Sequence, residues 1–437
     1  MTDLLTTLLQ RLDEPLGRYG ELDAYYRGEQ PLSFLSPEAK LALGTRFGRM
    51  ASNIPRLAVG SLAERLRITG FQRAGQPSAE LWADWIGNDL DQEAGVAHRE
   101  ALTLGTCYVI VWADNAGAPK VSIESARQVS CVRDPGTRRI TAALKRWETP
   151  TSTEAVLYEA GRVTRLRSDN PGATTTGFRT VEVLRNPFGR PPVVALRNSD
   201  RLLDDGVSEI SDLVPLVDGL NKSLSDMLVS SEYAGRPRRF ASGIELVEEP
   251  VLDDLGMPTG ETVTVNPFPE GNRMMVSEEP GSRFGSLPSA DLAGYEASVR
   301  VLLGQIMAVS ALPAHYIGAL TDQPASADSL RAAEASLTAR AEARQATFGR
   351  AWEDVGKLMV AARHGTDPDT EAIRVSWADA GTRSIAQEAD AVVKLYGAGL
   401  LPASYALARI GYSADDIQRI EAIRARETTP TTERTAP

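Results

Sequence analysis

The residues that could bind a metal or carry a redox reaction are few in this chain and lie far apart. The histidines are His98, His315 and His364, and the cysteines are Cys107 and Cys131. A structural zinc site needs a cluster of such ligands, usually in closely spaced pairs. The spacing therefore predicts no metal site, and two cysteines are too few for a disulfide framework. We expect both cysteines to be small buried hydrophobic residues.

One short segment resembles the end of a phosphate-binding loop. It is GLNKS, residues 219–223, but Asn221 stands where that loop needs a glycine directly before the lysine. We interpret it as one face of a helix. The nucleophile elbow, the zinc-binding helix motif and the dinucleotide-binding glycine motif are absent. Three pairs of adjacent acids are expected to be solvated: Asp204–Asp205, Asp253–Asp254 and Asp415–Asp416. The sequence predicts no catalytic residue and no cofactor.

The charge balance argues against tight binding of nucleic acid. The chain has 47 bases and 58 acids, a net charge of −11. A protein that holds DNA firmly usually groups its lysines and arginines, because it gains affinity by neutralising phosphates. The one basic cluster in the sequence is RPRR, with Arg236, Arg238 and Arg239. These arginines could cap the end of the preceding helix or could contact an acidic partner, and the sequence leaves both readings open.

The length of the chain indicates several modules or one elongated subunit. It has 437 residues, well above a typical single domain. The longest apolar run, CYVIVWA, has the length of a strand, so we expect no membrane span. The N-terminal segment MTDLLTTLLQRLDEPL is acidic and amphipathic, unlike a secretory signal.

The pattern of elements predicts an α+β fold that is mainly helical. Residues 1–204 read as an α+β domain, with helices first and short strands from about Thr106 onward. The predicted strands are CYVIVWAD, PKVSIES, ITAALKRWE, TEAVLYEAGRVTRLR and RTVEVLRN. Residues 205–234 read as a helix whose apolar residues recur every three or four positions. Counted over residues 204–233, this segment carries seven acids and one lysine, which predicts a negative face. The remaining segments follow in order: short strands in 235–288, a helix in 289–312, a connection rich in helix breakers in 313–326, a long helix in 327–365, a strand and helices in 366–426, and a disordered tail in 427–437.

The order of these segments resembles the portal (head–tail connector) proteins of tailed double-stranded DNA phages, in the family common among siphophages of actinobacteria. The N-terminal match is YYRGEQPLSFL followed by NIPRLAVGSLAERLRITGF. SDLVPLVDGLNKSLSDMLVSSEYAGRPRRFASG resembles the first stem helix of the family and the start of its clip. DLAGYEASVRVLLGQIMAVSALPAHYIG and PASADSLRAAEASLTARAEARQATFGRAWEDVGKL resemble the second stem helix, the tunnel loop and the long helix beyond it.

The resemblance implies a subdomain map and a set of DNA-proximal residues. The wing would be 1–204, the stem helices 205–234 and 289–312, the clip 235–288, the tunnel loop 313–326 and the crown 366–426, with 327–365 linking to wing and crown. The tunnel loop would touch DNA through Pro313, His315, Tyr316, Gly318, Asp322, Gln323 and Pro324. From the residues alone, the preferred interpretation is an ordinary helix–helix turn with Tyr316 packed in the core.

The resemblance also implies a function and partners. The chain would form a ring, a dodecamer, at the capsid portal vertex of a virion, after assembly in the host cytoplasm. Double-stranded DNA would pass through it during packaging and ejection. The clip, through Arg236, Arg238 and Arg239, would meet the terminase large subunit and then head–tail adaptor proteins, while capsid and scaffold proteins would hold the ring. A minor head or adaptor protein is the alternative, and a packaging enzyme is a more distant one.

Overall fold

The computed structural model describes residues 2–33, 51–114, 116–235, 239–243, 247–252, 257–265, 281–286, 292–318, 327–381, 385–412 and 414–428. The helices are α1 (Thr2–Asp13), α2 (Leu16–Arg27), α3 (Ile54–Ala63), α4 (Ala79–Ile86), α5 (Leu90–Leu104), α6 (Val214–Gly235), α7 (Ala293–Ser310), α8 (Ala327–His364), α9 (Ile385–Gly397), α10 (Ala403–Ile410) and α11 (Ala414–Thr428). Short 3-10 helices span Ala314–Ile317 and Pro368–Thr370. Among the described helices, none has the length and apolar character needed to cross a bilayer.

The strands form several antiparallel sheets. They are β1 (Ile68–Arg73), β2 (Gln76–Pro77), β3 (Thr106–Ala113), β4 (Pro119–Ser125), β5 (Val129–Arg133), β6 (Ile140–Glu148), β7 (Thr153–Glu159), β8 (Arg162–Ser168), β9 (Arg179–Arg185), β10 (Val193–Arg197), β11 (Arg239–Ser242), β12 (Val247–Leu252), β13 (Pro258–Val265), β14 (Arg283–Ser286) and β15 (Ile373–Trp377). The sheet orders are β15-β1-β2, β10-β3-β4, β5-β6-β7-β8-β9, β11-β14 and β12-β13.

The sheet β10-β3-β4 lies at the centre of the main core. Strand β3, from CYVIVWA, is buried over six consecutive residues, as expected when both faces of a strand are covered. Helices α5 and α8 pack against it. The five-stranded sheet approaches the sheet β10-β3-β4 where the hydroxyl of Tyr108 on β3 lies 3.7 Å from the sulfur of Cys131 on β5. Burial raises the pKa of the Cys107 thiol, so the thiolate is disfavoured there.

The five-stranded sheet is a meander in which each strand pairs with the next. Its inner face carries a separate small core, in which Leu8 and Leu9 of α1 pack on Leu144 and Leu157. Alternate residues of a strand point to the same face, so apolar residues at alternate positions of β6 and β7 all face α1. The sequence predicted β6, β7, β8 and β9 but missed β5 and β10.

The long helix α8 confirms the helix expected over 327–365, although the structure ends it at His364. The apolar residues that helical spacing predicts for one stripe are buried except for Leu330, which is half-buried: Leu337, Ala341, Phe348, Trp352, Val355 and Met359 are each at most 1% exposed. His98 of α5 stacks on Phe348, with ring centroids 5.5 Å apart, and accepts a hydrogen bond of 2.8 Å from Trp352 Nε1. This aromatic group joins α5 to α8.

One strand assigned to the C-terminal part lies elsewhere in the fold. β15 was placed in the segment 366–426, but it pairs antiparallel with β1 of the N-terminal domain. Helix α8 covers this pair closely, since a Cβ on Gly356 would lie 3.0 Å from Ile373 Cγ2. A backbone ladder therefore joins the segment 366–426 to residues about 300 positions earlier in the chain.

The helix predicted over 205–234 begins later than expected. The preceding residues are held in non-helical backbone, since Val207 N donates to Asn198 O and Glu209 N donates to Leu102 O. Gly206 has a φ of 130°, which an L side chain rarely adopts. Helix α6 starts at Val214, with proline in its first turn, where a missing N–H costs little.

Candidate functional site

The two helices α6 and α7 form an antiparallel pair beside the core. Gly219 of α6 lies against Leu302 of α7, whose Cδ2 would be 3.5 Å from an added Cβ. Ser230 donates a hydrogen bond of 3.1 Å to the Tyr295 hydroxyl. Val217 and Ile306 are fully buried, so one end of this helical pair is anchored in the main core. The GLNKS segment lies within α6, as predicted, and its lysine pairs with Asp226.

The acids before and along α6 have partners inside the chain. Glu209 lies 2.8 Å from Arg344 and 3.3 Å from Arg340, both on α8. The Asp218 carboxylate accepts hydrogen bonds from Tyr25 at 2.7 Å and from Ser33 at 2.8 Å. Burial and this carboxylate raise the pKa of Tyr25.

These contacts correct the expected negative face. Asp205, which precedes the helix, also lies 3.6 Å from Arg197. Several of the acids that the sequence suggested for one open surface therefore hold α6, α8 and the N-terminal helices together. A carboxylate paired with an arginine contributes little net charge to a surface, and one that accepts hydrogen bonds from hydroxyl groups is held inside the fold.

The chain that leaves α7 is a well-formed turn. Ala311 has a φ of 58° and Leu312 is 4% exposed. Pro313 is extended and starts the 3-10 helix Ala314–Ile317, which ends at Gly318 in the left-handed region with a φ of 71°. Nothing lies within 4 Å of a Cβ built on Gly318, so only the backbone angle favours glycine there.

Two of the predicted DNA-proximal residues pack together at this turn. The rings of His315 and Tyr316 meet edge to face, with centroids 4.8 Å apart. His315 Nε2 lies 3.4 Å from Glu334 Oε1 on α8, and the Tyr316 hydroxyl accepts a hydrogen bond of 3.3 Å from Arg65. Tyr316 also packs against the main core, as the turn interpretation expected.

Arg65, which sequence reasoning did not single out, is the centre of this arrangement. Its guanidinium donates to Glu334 at 3.0 Å, to the Ala380 carbonyl at 2.6 Å and to Thr338 at 3.4 Å, besides Tyr316. Burial opposes the charge, but the hydrogen bonds to Glu334 and Tyr316 prevail and raise the pKa of Arg65. One guanidinium thus ties the turn to α8 and to the segment after β15.

Several predicted site residues lie outside the described residues or are described only in part. Asp322, Gln323 and Pro324 fall in 319–326, and Arg236 and Arg238 fall in 236–238. Arg239 begins β11, opposite Ser286 of β14. The contacts predicted for these residues with DNA or with an acidic partner stay predictions.

A cleft of about 470 Å³ gathers arginines that the sequence scatters. It follows the free edge of β10, between the β5–β6 turn and α8. Its lining includes Arg133, Arg138, Arg139, Arg190, Arg197 and Arg201. Arg350 and Asp354 of α8 complete the charged lining. Sequence reasoning missed this basic surface, because its members come from three distant segments. We call this surface the arginine cleft.

No group of three or more His, Cys, Asp or Glu side chains in the described part of the chain could hold a metal ion. His98, His315 and His364 lie in separate contacts: His98 is in the aromatic core, His315 is beside Glu334 and His364 is 3.0 Å from Glu80.

Comparison with known proteins assigns this arrangement to one family. The family model described as "Phage portal protein, SPP1 Gp6-like" matches residues 5–430. The portal protein of Mycobacterium phage D29 is 31% identical over 376 residues, which cover 82% of this chain and 76% of the relative. The portal protein of Mycobacterium phage L5 is 29% identical over 388 residues, covering 83% and 76%.

Solved structures of gene transfer agent (GTA) particles also align with the chain. The neck of an empty GTA particle, computed with C6 symmetry, aligns with a TM-score of 0.49 at 12% identity, covering 90% of this chain and 99% of the other. The virion of a native GTA particle aligns with a TM-score of 0.47 at 13% identity, covering 90% and 93%.

Proposed function

The chain belongs to the SPP1 Gp6-like family of phage portal proteins and is a portal subunit of a capsid vertex, and from this we propose that twelve copies close into a ring that conducts double-stranded DNA. The observation that carries the proposal is the family match over residues 5–430. DNA would pass through the ring during packaging and again during ejection. The family is structural, and neither an adaptor nor a packaging enzyme fits this match.

The helical pair α6 and α7 would be the stem of this ring. Its core-buried end, around Val217 and Ile306, fixes the pair to the rest of the subunit. Contacts from α8 support the same end of the pair. Arg340 donates a hydrogen bond of 3.0 Å to the Val309 carbonyl and forms an ion pair with Glu209. Such anchoring lets a subunit keep its channel wall in place while DNA moves past it.

The segment between Gly318 and α8 would be the tunnel loop, with Asp322, Gln323 and Pro324 nearest the DNA. On this proposal the DNA contact lies beyond the 3-10 helix. His315 and Tyr316 serve as its support, because both side chains face Glu334 and Arg65. A support of this kind fixes where the loop leaves the subunit.

The residues 235–288 would be the clip. We propose that it meets the terminase large subunit during packaging and head–tail adaptors afterwards, and that Arg236, Arg238 and Arg239 take part. Capsid and scaffold proteins would hold the outer parts of the ring. The subunit would assemble in the host cytoplasm and remain in the virion.

Electron microscopy of the purified full chain tests the proposal. We expect negatively stained particles that are rings with a central opening wide enough for a DNA duplex. Particles that stay single subunits under all assembly conditions would overturn it.

A further inference from the structure

Three arginines of the arginine cleft have no acidic partner in the described part of the chain. They are Arg133, Arg138 and Arg201, whereas Arg139 and Arg190 pair with Asp369. The Nε atoms of Arg133 and Arg190 are buried without an acceptor. A buried donor that lacks an acceptor is costly, so such a group usually awaits one.

The positive charges in the cleft also repel one another. Burial and the neighbouring Arg133 lower the pKa of Arg197, although Asp205 acts in the other direction. Like charges that are held together in a folded chain are destabilising unless an anion joins them. The cleft is therefore built for an acidic group that this subunit does not supply.

Exposed leucines stand beside these arginines. Leu202 lines the cleft and is 73% exposed, and Leu203 is 94% exposed. Arginines next to exposed large apolar side chains are typical of a protein contact, since such contacts combine an apolar centre with paired charges. A surface that binds only DNA phosphates gains its affinity from positive charge, so exposed leucines would add nothing to it.

The opposite edge of the same sheet carries a complementary surface. The sheet order is β10-β3-β4, so β4 is its other edge. Asn88 fixes the start of α5 to β4, because its side chain donates to Pro119 O and accepts from Val121 N, both at 3.1 Å.

Three acids follow Asn88 directly. The side chains of Asp89, Asp91 and Glu93 are exposed and have no cationic partner in the described part of the chain. Ile86 and Val96, on either side of them, are 43% and 44% exposed. This surface, which we call the α5 acidic surface, combines free acids with exposed apolar side chains, as the cleft combines free arginines with exposed leucines.

We propose that the arginine cleft of one subunit receives the α5 acidic surface of the next subunit in the ring. The proposal rests on the ring proposed above. A closed ring needs two different surfaces on each subunit, on opposite sides, so that each copy binds head to tail to its neighbour. The two edges of β10-β3-β4 provide such surfaces, with opposite free charges. A chain of net charge −11 needs such matched sites to bring copies together.

Charge reversal on each surface tests the contact. One variant carries Arg133→Glu, Arg138→Glu and Arg201→Glu, and the other carries Asp89→Lys, Asp91→Lys and Glu93→Lys. Each alone should raise the protein concentration needed for half-assembly into rings by roughly tenfold or more, since like charges then face each other. A chain that carries both sets should form rings again, and so should a mixture of the two variants, in which the subunits alternate.

A matched control carries Arg165→Glu, Arg179→Glu and Arg185→Glu, which change the net charge equally at exposed side chains of strands β8 and β9. It should assemble as the original chain does. Thermal unfolding followed by circular dichroism shows whether each variant is folded. Rings formed by the chain that carries both sets of changes would also show that these changes leave the subunit folded.

Three results would overturn the contact. Rings that form normally from the Arg133/Arg138/Arg201 variant would show that the cleft lies outside the interface. If that variant also loses affinity for a labelled duplex DNA, the cleft is a nucleic-acid site instead. A folded variant that loses rings but is not rescued by the acidic-surface changes would show that the cleft binds another surface. If the original chain forms no rings, the ring itself fails, and this contact fails with it.

Discussion

Arg65 and Glu334 form an ion pair of 3.0 Å across 269 positions of the sequence. Their side chains are 9% and 11% exposed, so water screens the pair weakly. Because Tyr316 and His315 contact the same two residues, the pair joins α3, α8 and the turn after α7 at one point. The support of the proposed tunnel loop thus depends on a contact between residues far apart in the chain.

Removal of one partner of this pair should be strongly destabilising. Arg65→Met removes the guanidinium that donates to the buried Glu334 carboxylate and to the Ala380 carbonyl, and we expect a loss of about 3–5 kcal/mol in the free energy of unfolding. Adding Glu334→Gln should recover part of it. Denaturant unfolding measures both. As a control, Arg165→Met breaks an exposed pair with Glu182 and should cost about 0.5 kcal/mol or less. Equal losses in Arg65→Met and the control would contradict the role of the pair.

Acid should destabilise the fold through His98. Burial lowers the pKa of this imidazole to about 3, from 6.5 in a free side chain. The unfolded chain takes up a proton at His98 below pH 6.5 while the folded chain does not. The stability contributed by neutral His98 is therefore complete above pH 6.5 and falls as the pH drops toward 3, by at most about 1.4 kcal/mol per pH unit.

The variant His98→Gln isolates this effect from that of the carboxylates. Glutamine keeps an acceptor for Trp352 Nε1 but takes up no proton. Thermal unfolding between pH 7 and 4 should show that this variant loses stability less steeply with falling pH than the original chain does. The difference in slope should correspond to the uptake of about one proton on unfolding. The same slope in both proteins would show that His98 is protonated in the folded chain.

Gly318 should matter for packaging more than for assembly. Its φ of 71° suits glycine, while the space around it is open. Gly318→Val should therefore cost about 1–2 kcal/mol of local backbone strain and redirect the proposed tunnel loop. We expect intact rings with impaired DNA packaging. Gly318→Asn, which tolerates this backbone region, should package better than Gly318→Val. Normal packaging by Gly318→Val rings would count against the assignment of 313–326 to the loop.

Charge reversal at the start of the clip should weaken its docking. Arg236→Glu, Arg238→Glu and Arg239→Glu together should lower the affinity for the terminase or an adaptor by roughly tenfold or more, if acidic groups of the partner face them. Binding of the purified partner to rings measures this. Arg283→Glu, at an exposed arginine of β14, is the control and should bind as before. An unchanged affinity would return the three arginines to the role of a helix cap.

Local patterns predicted much of the fold, while long-range contacts escaped them. The stripe of α8 follows from helical periodicity, while strands β3 and β6 follow from short apolar runs bounded by turn residues. β10 was missed because it is short and follows two prolines, which usually mark a loop. The pairing of β15 with β1 could not be read, since nothing in either strand specifies a partner about 300 residues away.

The candidate site shows the same division. His315 and Tyr316 were named from the sequence, but their partners Arg65 and Glu334 were not, because a contact of 269 positions leaves no local signal. The acids near α6 were predicted to share one surface, yet Glu209 faces the arginines of α8. The arginine cleft became visible only when the fold brought its separate segments together.

The mass of the assembled particle tests the ring most directly. Native mass spectrometry of the purified full chain should show one dominant species of about 565 kDa, which is twelve chains of 47.1 kDa each. That species should persist on dilution and should carry a central opening in micrographs. A spectrum that shows only the 47.1 kDa chain under every assembly condition would contradict the account.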